Sequence, residues 1–253
     1  MSFLIFIFGI IIGSFLNVCI YRMPRNESIV YPSSYCPKCS TSLKWYDLVP
    51  VLSYTIQRGK CRYCKSTISM QYPFVELFNG ILYTIIYYHY GLSFEFLFYC
   101  TIVSFLIVIS FIDYYYQIIP DILIVIILVW AVLYNTILLF VYEVPFNLLD
   151  SIFGLLFGGI LFLIIALISK GGMGGGDIKL ISVLGFILGF KKVILNIFLS
   201  FMIGAISSIF LLIFKIKGIG DAIPFGPFIN IAFTITLLFG DAIISWYIYS
   251  FFF

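Results

Sequence analysis

Apolar residues fill this chain in long blocks parted by short polar interruptions. A membrane-crossing helix needs roughly 20 mainly apolar residues. Blocks of about that length predict spans at 3–20, 73–90, 94–112, 121–141, 150–169, 179–191, 193–214 and 226–250. The expected fold is therefore all-α: a polytopic membrane protein with about eight transmembrane helices. The 179–191 block is short, and Lys191 and Lys192 follow it. It predicts either a short or tilted helix shielded by its neighbours, or one longer broken element over 179–214. The first block has no basic segment before it and no small-x-small cleavage site, so it reads as a retained helix.

Composition excludes a soluble domain. Of 253 residues, 63% are hydrophobic and 10% charged, with a mean hydropathy of +1.16. The net charge of +3 matters less than its placement. Arg22, Arg25, Lys38, Lys44, Arg58, Lys60, Arg62 and Lys65, eight of the 14 basic residues, all lie between the first two blocks. Basic loops stay on the cytoplasmic side, which puts residues 21–72 in the cytoplasm and the N-terminus outside. The charge is read as this orientation signal, not as a nucleic-acid patch. Alternating from there places 113–121, 170–179 and 215–221 in the cytoplasm and 143–150 outside.

Residues 21–72 form the one polar segment large enough to be a module. About 50 residues need a staple in place of a large core. Cys36-Pro37-Lys38-Cys39 and Cys61-Arg62-Tyr63-Cys64 supply one. Two Cys-x-x-Cys knuckles at this separation predict a tetrahedral zinc site, and four protein ligands make the metal structural. A cytoplasmic location argues against two disulfides. Cys19 and Cys100, inside apolar blocks, read as packing residues.

Two acids stand out against the apolar background. Asp113 ends a block in Ile112-Asp113-Tyr114. Asp177 closes the glycine run Gly171-Gly172-Met173-Gly174-Gly175-Gly176-Asp177. Carboxylates at a bilayer edge are costly and point to function. The predicted orientation places both on one side of the membrane. A pair of carboxyls can hydrolyse a peptide: one acts as base on a water while the other, protonated, polarises the scissile carbonyl. The simpler reading is that each caps a helix. Asp121, after Pro120, fits a cap. Asp177 could cap a helix starting at Ile178, whereas Asp113 sits where the helix dipole disfavours it. Lys179 reads as a cytoplasmic anchor, and His89 as an interfacial residue at an outer helix end. The segment Gly220 to Pro227 carries prolines that enforce a non-helical entry to the last helix.

Together these motifs resemble the bifunctional type IV prepilin peptidases, also called leader peptidase/N-methyltransferases. Gly13-Ser14-Phe15-Leu16-Asn17-Val18-Cys19-Ile20-Tyr21-Arg22-Met23-Pro24 resembles the family's opening motif. The paired knuckles with Trp45-Tyr46-Asp47 and Pro50-Val51-Leu52-Ser53 resemble its cytoplasmic domain, closed by Tyr72-Pro73-Phe74-Val75-Glu76. Ile112-Asp113 with Ile119-Pro120-Asp121, and Gly174-Gly175-Gly176-Asp177, are similar to its two catalytic-acid motifs.

The resemblance implies a GxGD-type aspartic protease of the bacterial plasma membrane with its active site facing the cytoplasm. Asp113 and Asp177 inherit catalysis. The substrates would be prepilins or pseudopilins, each with a basic leader and a hydrophobic helix. The enzyme would cut after a glycine and methylate the new amine, usually of phenylalanine, from S-adenosylmethionine. Asn17, Arg22 and Glu76 are the candidates for that second activity; their structural alternative is an anchor (Arg22) with Glu76 as its ion partner. The implied organisation is a first helix over 1–20, a methyltransferase-associated zinc domain over 21–72 and a helical membrane peptidase domain over 73–253. A peptidase that has lost methylation is a weaker fit, because the four-cysteine loop is intact. An ion-coupled secondary transporter, using the same two acids, would be expected to hold them near the midplane.

Overall fold

The computed structural model describes residues 1–143, 147–170, 172–215, 218 and 221–252, with side chains to residue 250. Parts of two expected loops, 143–150 and 215–221, and Gly171 of the glycine run lie outside the described residues. Eight α-helices among the described residues carry the fold: α1 (Ser2–Arg22), α2 (Leu52–Ile56), α3 (Gln71–Tyr90), α4 (Phe94–Tyr116), α5 (Asp121–Val141), α6 (Leu148–Ile168), α7 (Gly175–Ile213) and α8 (Gly226–Phe252). Among the described residues, α1, α4, α5, α6, α7 and α8 are long and apolar enough to cross a membrane. The chain is thus a multi-pass, helical membrane protein. A count of eight spans also requires α3 and two passes of α7. Glu76, Asn79 and His89 lower the apolarity of α3.

The chain separates into two compact units, 1–108 and 109–253. In the first, α1 and α3 run antiparallel, nearly backbone to backbone. A Cβ at Gly9 would stand 2.8 Å from Gly80 Cα, and one at Gly13 would stand 2.7 Å from Glu76 Cα. One turn further, Asn17 Nδ2 donates to Tyr72 O at 3.1 Å. Small residues permit this approach, and in lipid such close packing stands in for hydrophobic burial. Ser104 Oγ donates to Asn79 Oδ1, and Asn79 Nδ2 to Gly9 O.

Between α1 and α3, residues 23–70 fold with little regular structure. The knuckles are near copies, 25 residues apart. Cys36 N–H donates to Thr41 O and Cys61 N–H to Ser66 O. Ser40 N–H donates to Cys36 O and Lys65 N–H to Cys61 O. Isolated antiparallel bridges, Tyr35 with Ser42 and Lys60 with Thr67, close each one.

In the second unit, α7 reverses at Gly189 (φ 75, ψ 174). Glycine reaches this conformation without a Cβ clash. The contacts of α6 define the reversal. Going up α6, Gly154 meets Gly185 and Gly158 meets Ile181, so the first arm is antiparallel to it. Gly158 also meets Val193, and Phe162 meets Phe201, so the second arm is parallel. The two arms are therefore antiparallel to each other, so the 179–214 stretch is broken at Gly189 into a short first helix and a longer second one. Asp150 Oδ1 accepts Phe190 N–H at the corner, and Lys192 pairs with Asp241 at 2.8 Å.

Candidate active site and four-cysteine centre

The end of the second unit opposite the Gly189 corner gathers the two acids. Asp113 lies in the last turn of α4, which ends at Tyr116. Asp177 is the third residue of α7, whose N-cap is Gly174. It is therefore not the cap of a helix starting at Ile178: helix geometry begins at Gly175, inside the glycine run. Both side chains are buried, with residues 6% and 9% exposed.

Several contacts draw them together. The Gly226 N–H at the start of α8 donates to Asp113 Oδ2 at 2.9 Å. Ile119 packs so closely that a Cβ at Gly176 would meet its side chain at 2.8 Å, and one at Gly226 would meet its Cδ1 at 3.4 Å. Asp113 and Asp177 are near enough to act on each other electrostatically. Asp177 Oδ1 is buried with no hydrogen-bond partner among the described residues. Each acid also stands at the positive N-terminal end of a helix, α8 for Asp113 and α7 for Asp177, where negative charge is favoured. Two carboxyls at helix ends around an unfilled acceptor can hold and activate a water.

Asp121 does not serve as a side-chain cap. Pro120 is the N-cap of α5, and Asp121 forms a bidentate pair with Lys179 at 2.8 Å. The pair is exposed, so it contributes little stability. It ties the start of α5 to the start of α7.

The four cysteine sulfurs lie within 4.8 Å of one another, with Cys36 and Cys64 Sγ 3.9 Å apart. A tetrahedral centre with metal–sulfur bonds of 2.3 Å has edges of about 3.8 Å, so Cys36, Cys39, Cys61 and Cys64 could hold a metal ion. The Ser66 hydroxyl, 3.1 Å from Cys64 Sγ, leads the contacts, followed by the Ser66 amide, that lower this thiol to about 6, favouring the thiolate. Asp47 braces the second knuckle. Its carboxylate accepts from Arg62 Nε at 2.7 Å, Tyr63 Oη at 2.9 Å and Gln57 Nε2 at 3.3 Å. Burial alone would raise its carboxyl, but the Arg62 and Tyr63 bonds outweigh it and hold the group below the ordinary carboxylate value. Donation to Asp47 in turn pushes the Tyr63 hydroxyl up to about 12.

A cavity of about 460 Å³ lies between this module and the facing ends of α1 and α3. Asn17, Arg22, Cys36, Cys61, Tyr72 and Glu76 are among the residues lining it. The structure thus brings the three sequence candidates, Asn17, Arg22 and Glu76, to one space beside the cysteine cluster. It does not pair Arg22 with Glu76. Arg22 is spent on backbone carbonyls, Nη1 to Ser28 O at 2.9 Å and Nη2 to Pro32 O at 2.8 Å. Glu76 Oε2 instead accepts Val51 N–H at 2.8 Å. Ile119, Asp47 and Val51 lie in the motifs quoted above, and Gly226 in the Gly220 to Pro227 run; the contacts that they make were not assigned from the sequence.

The family model of the bacterial peptidase A24 N-terminal domain matches residues 7–90, and that of the type IV leader peptidase family matches residues 100–209. A protein of Bacillus subtilis strain 168 named prepilin leader peptidase/N-methyltransferase is 36% identical over 97% of each chain. Proteins of the same name from Pseudomonas aeruginosa and Neisseria gonorrhoeae are 32% and 31% identical, covering 95% and 96% of this chain and 91% and 93% of theirs. No solved structure matches the chain.

Proposed function

The chain belongs to the type IV leader peptidase family, and we propose that it cleaves the leader of prepilins and N-methylates the residue that cleavage exposes. The relatives carry both activities in their name. Substrates are prepilins or pseudopilins whose basic leader precedes a hydrophobic helix. The protein is placed in the bacterial plasma membrane with both activities at the cytoplasmic face, the orientation that the basic 21–72 segment favours. Functionally, 1–20 is a first helix, 21–72 the methyltransferase-associated module and 73–253 the peptidase domain.

Asp113 and Asp177 are the catalytic acids. One carboxylate takes a proton from water as the oxygen attacks the scissile carbonyl. The other, protonated, donates to the carbonyl oxygen. The Gly226 amide fixes one oxygen of Asp113 and leaves the other for the reacting water. A coupled pair titrates as a unit, so the roles of acid and base belong to the dyad. The observation that carries this reading is the convergence of the two acids around Ile119 and the Gly226 amide.

Cys36, Cys39, Cys61 and Cys64 hold a structural zinc ion that closes the cavity wall. The cavity falls within the roughly 300–1,000 Å³ of small-molecule sites. S-adenosylmethionine would supply an electrophilic methyl there. Asn17 and Glu76 face that space, and Arg22 fixes the 28–33 segment at its rim.

The test is co-expression of one prepilin with the native chain, Asp113→Asn and Asp177→Asn, followed by intact mass of the substrate. Loss of cleavage in both variants at normal expression supports the dyad. Cleavage surviving either change removes that residue from catalysis. Cleavage without the added methyl mass in the native chain reduces the function to peptidase alone.

A further inference from the structure

Two buried acceptors, Asn17 and Glu76, are among the residues lining the cavity in the first unit. Asn17 is 2% exposed and Glu76 is 6% exposed. Asn17 turns its amide nitrogen away, to Gly13 O and Tyr72 O. Its Oδ1 has no partner among the described residues. Leaving a buried acceptor unpaired is unfavourable. Glu76 lies on the facing helix one turn beyond Tyr72, and its carboxylate takes hydrogen bonds from the Val51 amide and the Ser14 hydroxyl. The Val51 amide comes from a tight turn: Leu52 N–H donates to Pro50 O at 2.6 Å, and Val51 has φ 60 and ψ −48. A β-branched residue is strained there. The Glu76 bond helps hold that turn, and the turn in return fixes the carboxylate. Three cations line the cavity, Arg22, Lys38 and Arg62. Arg22 is committed to carbonyls of 28–33, Arg62 to Asp47, and Lys38 sits on the first knuckle between Cys36 and Cys39. The C-terminal end of α1 and the N-terminal end of α3 bring opposite dipole ends to the cavity, so the side chains decide the sign. An unpaired amide oxygen beside a fixed carboxylate fits a small, hydrogen-bond-donating cation.

We propose that Asn17 Oδ1 and Glu76 bind the α-amino group of the cleaved substrate, with Glu76 accepting its proton before methyl transfer. The inference rests on the methyltransferase reading above. Depth favours the substrate amine over the methyl donor's own ammonium. Asn17 lies five residues from the end of α1 and Glu76 five from the start of α3, about 7.5 Å inside the helix ends at 1.5 Å per residue. An amine that heads a hydrophobic helix can be carried to that depth between apolar helices at less desolvation cost than the polar body of the donor. The step balances. The substrate ammonium gives one proton to the Glu76 carboxylate. The nitrogen lone pair then forms the N–C bond as the sulfonium's C–S pair returns to sulfur. The products are a secondary ammonium and a neutral thioether, and Glu76 passes its proton to water through the cavity.

The experiment uses the full chain in detergent with a pre-cleaved pilin peptide and S-adenosylmethionine. Methylation is followed against pH, and S-adenosylhomocysteine affinity is measured separately by calorimetry. Asn17→Ala should raise KM for the peptide about tenfold, as loss of a bond to a charged group implies. The isosteric Glu76→Gln should lower kcat about a hundredfold near neutral pH, as loss of a general base implies. Its rate should climb about tenfold per pH unit until the free amine itself deprotonates, near pH 8. Glu76→Asp should restore the native pH profile. S-adenosylhomocysteine affinity should stay within about twofold in every variant, below the change that one lost hydrogen bond brings. Weakened S-adenosylhomocysteine binding with an unchanged peptide KM would assign the niche to the donor's ammonium and overturn the proposal. So would unchanged KM and pH profile. A native chain that never methylates the peptide fails the broader reading instead, and Glu76→Gln stands as the test if Asn17→Ala does not fold.

Discussion

The Gly226 amide and the Asp113 carboxylate are coupled through a 2.9 Å hydrogen bond, and a Cβ at residue 226 would meet Asp113 Oδ2 at 2.7 Å. The bond and the missing side chain are two aspects of one requirement: the start of α8 must approach the acid closely. Gly226→Ala should lower kcat for leader cleavage about a hundredfold, the usual cost of misplacing a reacting group by an ångström. Methylation of a pre-cleaved peptide should persist. Cleavage kinetics on a purified prepilin check both.

A second rung lies one turn deeper. Ser110 precedes Asp113 by three residues on α4, Asn230 follows Gly226 by four on α8, and Asn230 Nδ2 donates to Ser110 Oγ at 2.8 Å. The rung fixes the register of the two helices that carry the acid and its donor. Asn230→Ala should lower kcat about fivefold, matching the ~1 kcal/mol of one buried hydrogen bond, with KM held. Adding Ser110→Ala should cost little more, because both changes remove the same bond.

Asp47 gathers Arg62, Tyr63 and Gln57 around the second knuckle. Asp47→Asn should speed transfer of the bound metal to a chelator. The carboxyl titrates below its ordinary value in the folded chain, so its stabilisation is complete above the unfolded value, about pH 4. It is lost only as acid passes through the lowered folded value. The variant's defect should therefore be the same at pH 6 and pH 8, measured as chelator-driven release rates.

Removing the metal should separate the two activities. The knuckles and the cavity lie in residues 1–108, the acids in 109–253. Chelation, or Cys36→Ser with Cys61→Ser, should abolish methylation and leave leader cleavage largely intact, as read from substrate mass. Loss of both together would mean that the first unit also serves cleavage.

Much of this was legible in the residues, for physical reasons that differ by element. Apolar block length located the membrane helices because lipid imposes a length on them. Cys-x-x-Cys spacing located a four-sulfur cluster that could hold a metal ion, because tetrahedral geometry admits few spacings. The two acids were conspicuous because charge is rare in such a chain. What could not be read was contact at close range. Asp121 looks like a cap after Pro120, yet across-space pairing with Lys179 decides its role. Arg22 and Glu76 look like an ion pair, yet backbone carbonyls and the Val51 amide claim them first. Ile119 belongs to a motif legible in the sequence, yet its contact with the Gly176 and Gly226 positions at once shows only in space. The broken 179–214 element was one of two options until the partners of Gly154 and Gly158 set the direction of each arm.

The reversal at Gly189 has a mechanical consequence for Asp177. The arm that ends in this acid lies against α6 with almost no side chain between them, at Gly154 and Gly185, and its far end is folded back on itself. Such a seam has no slack to slide or roll, so the arm behaves as a stiff lever with the carboxylate at its tip. With Asp177 as a catalytic acid, as proposed above, a substrate chain would have to bend to that tip, and cleavage would then favour peptides that unwind readily.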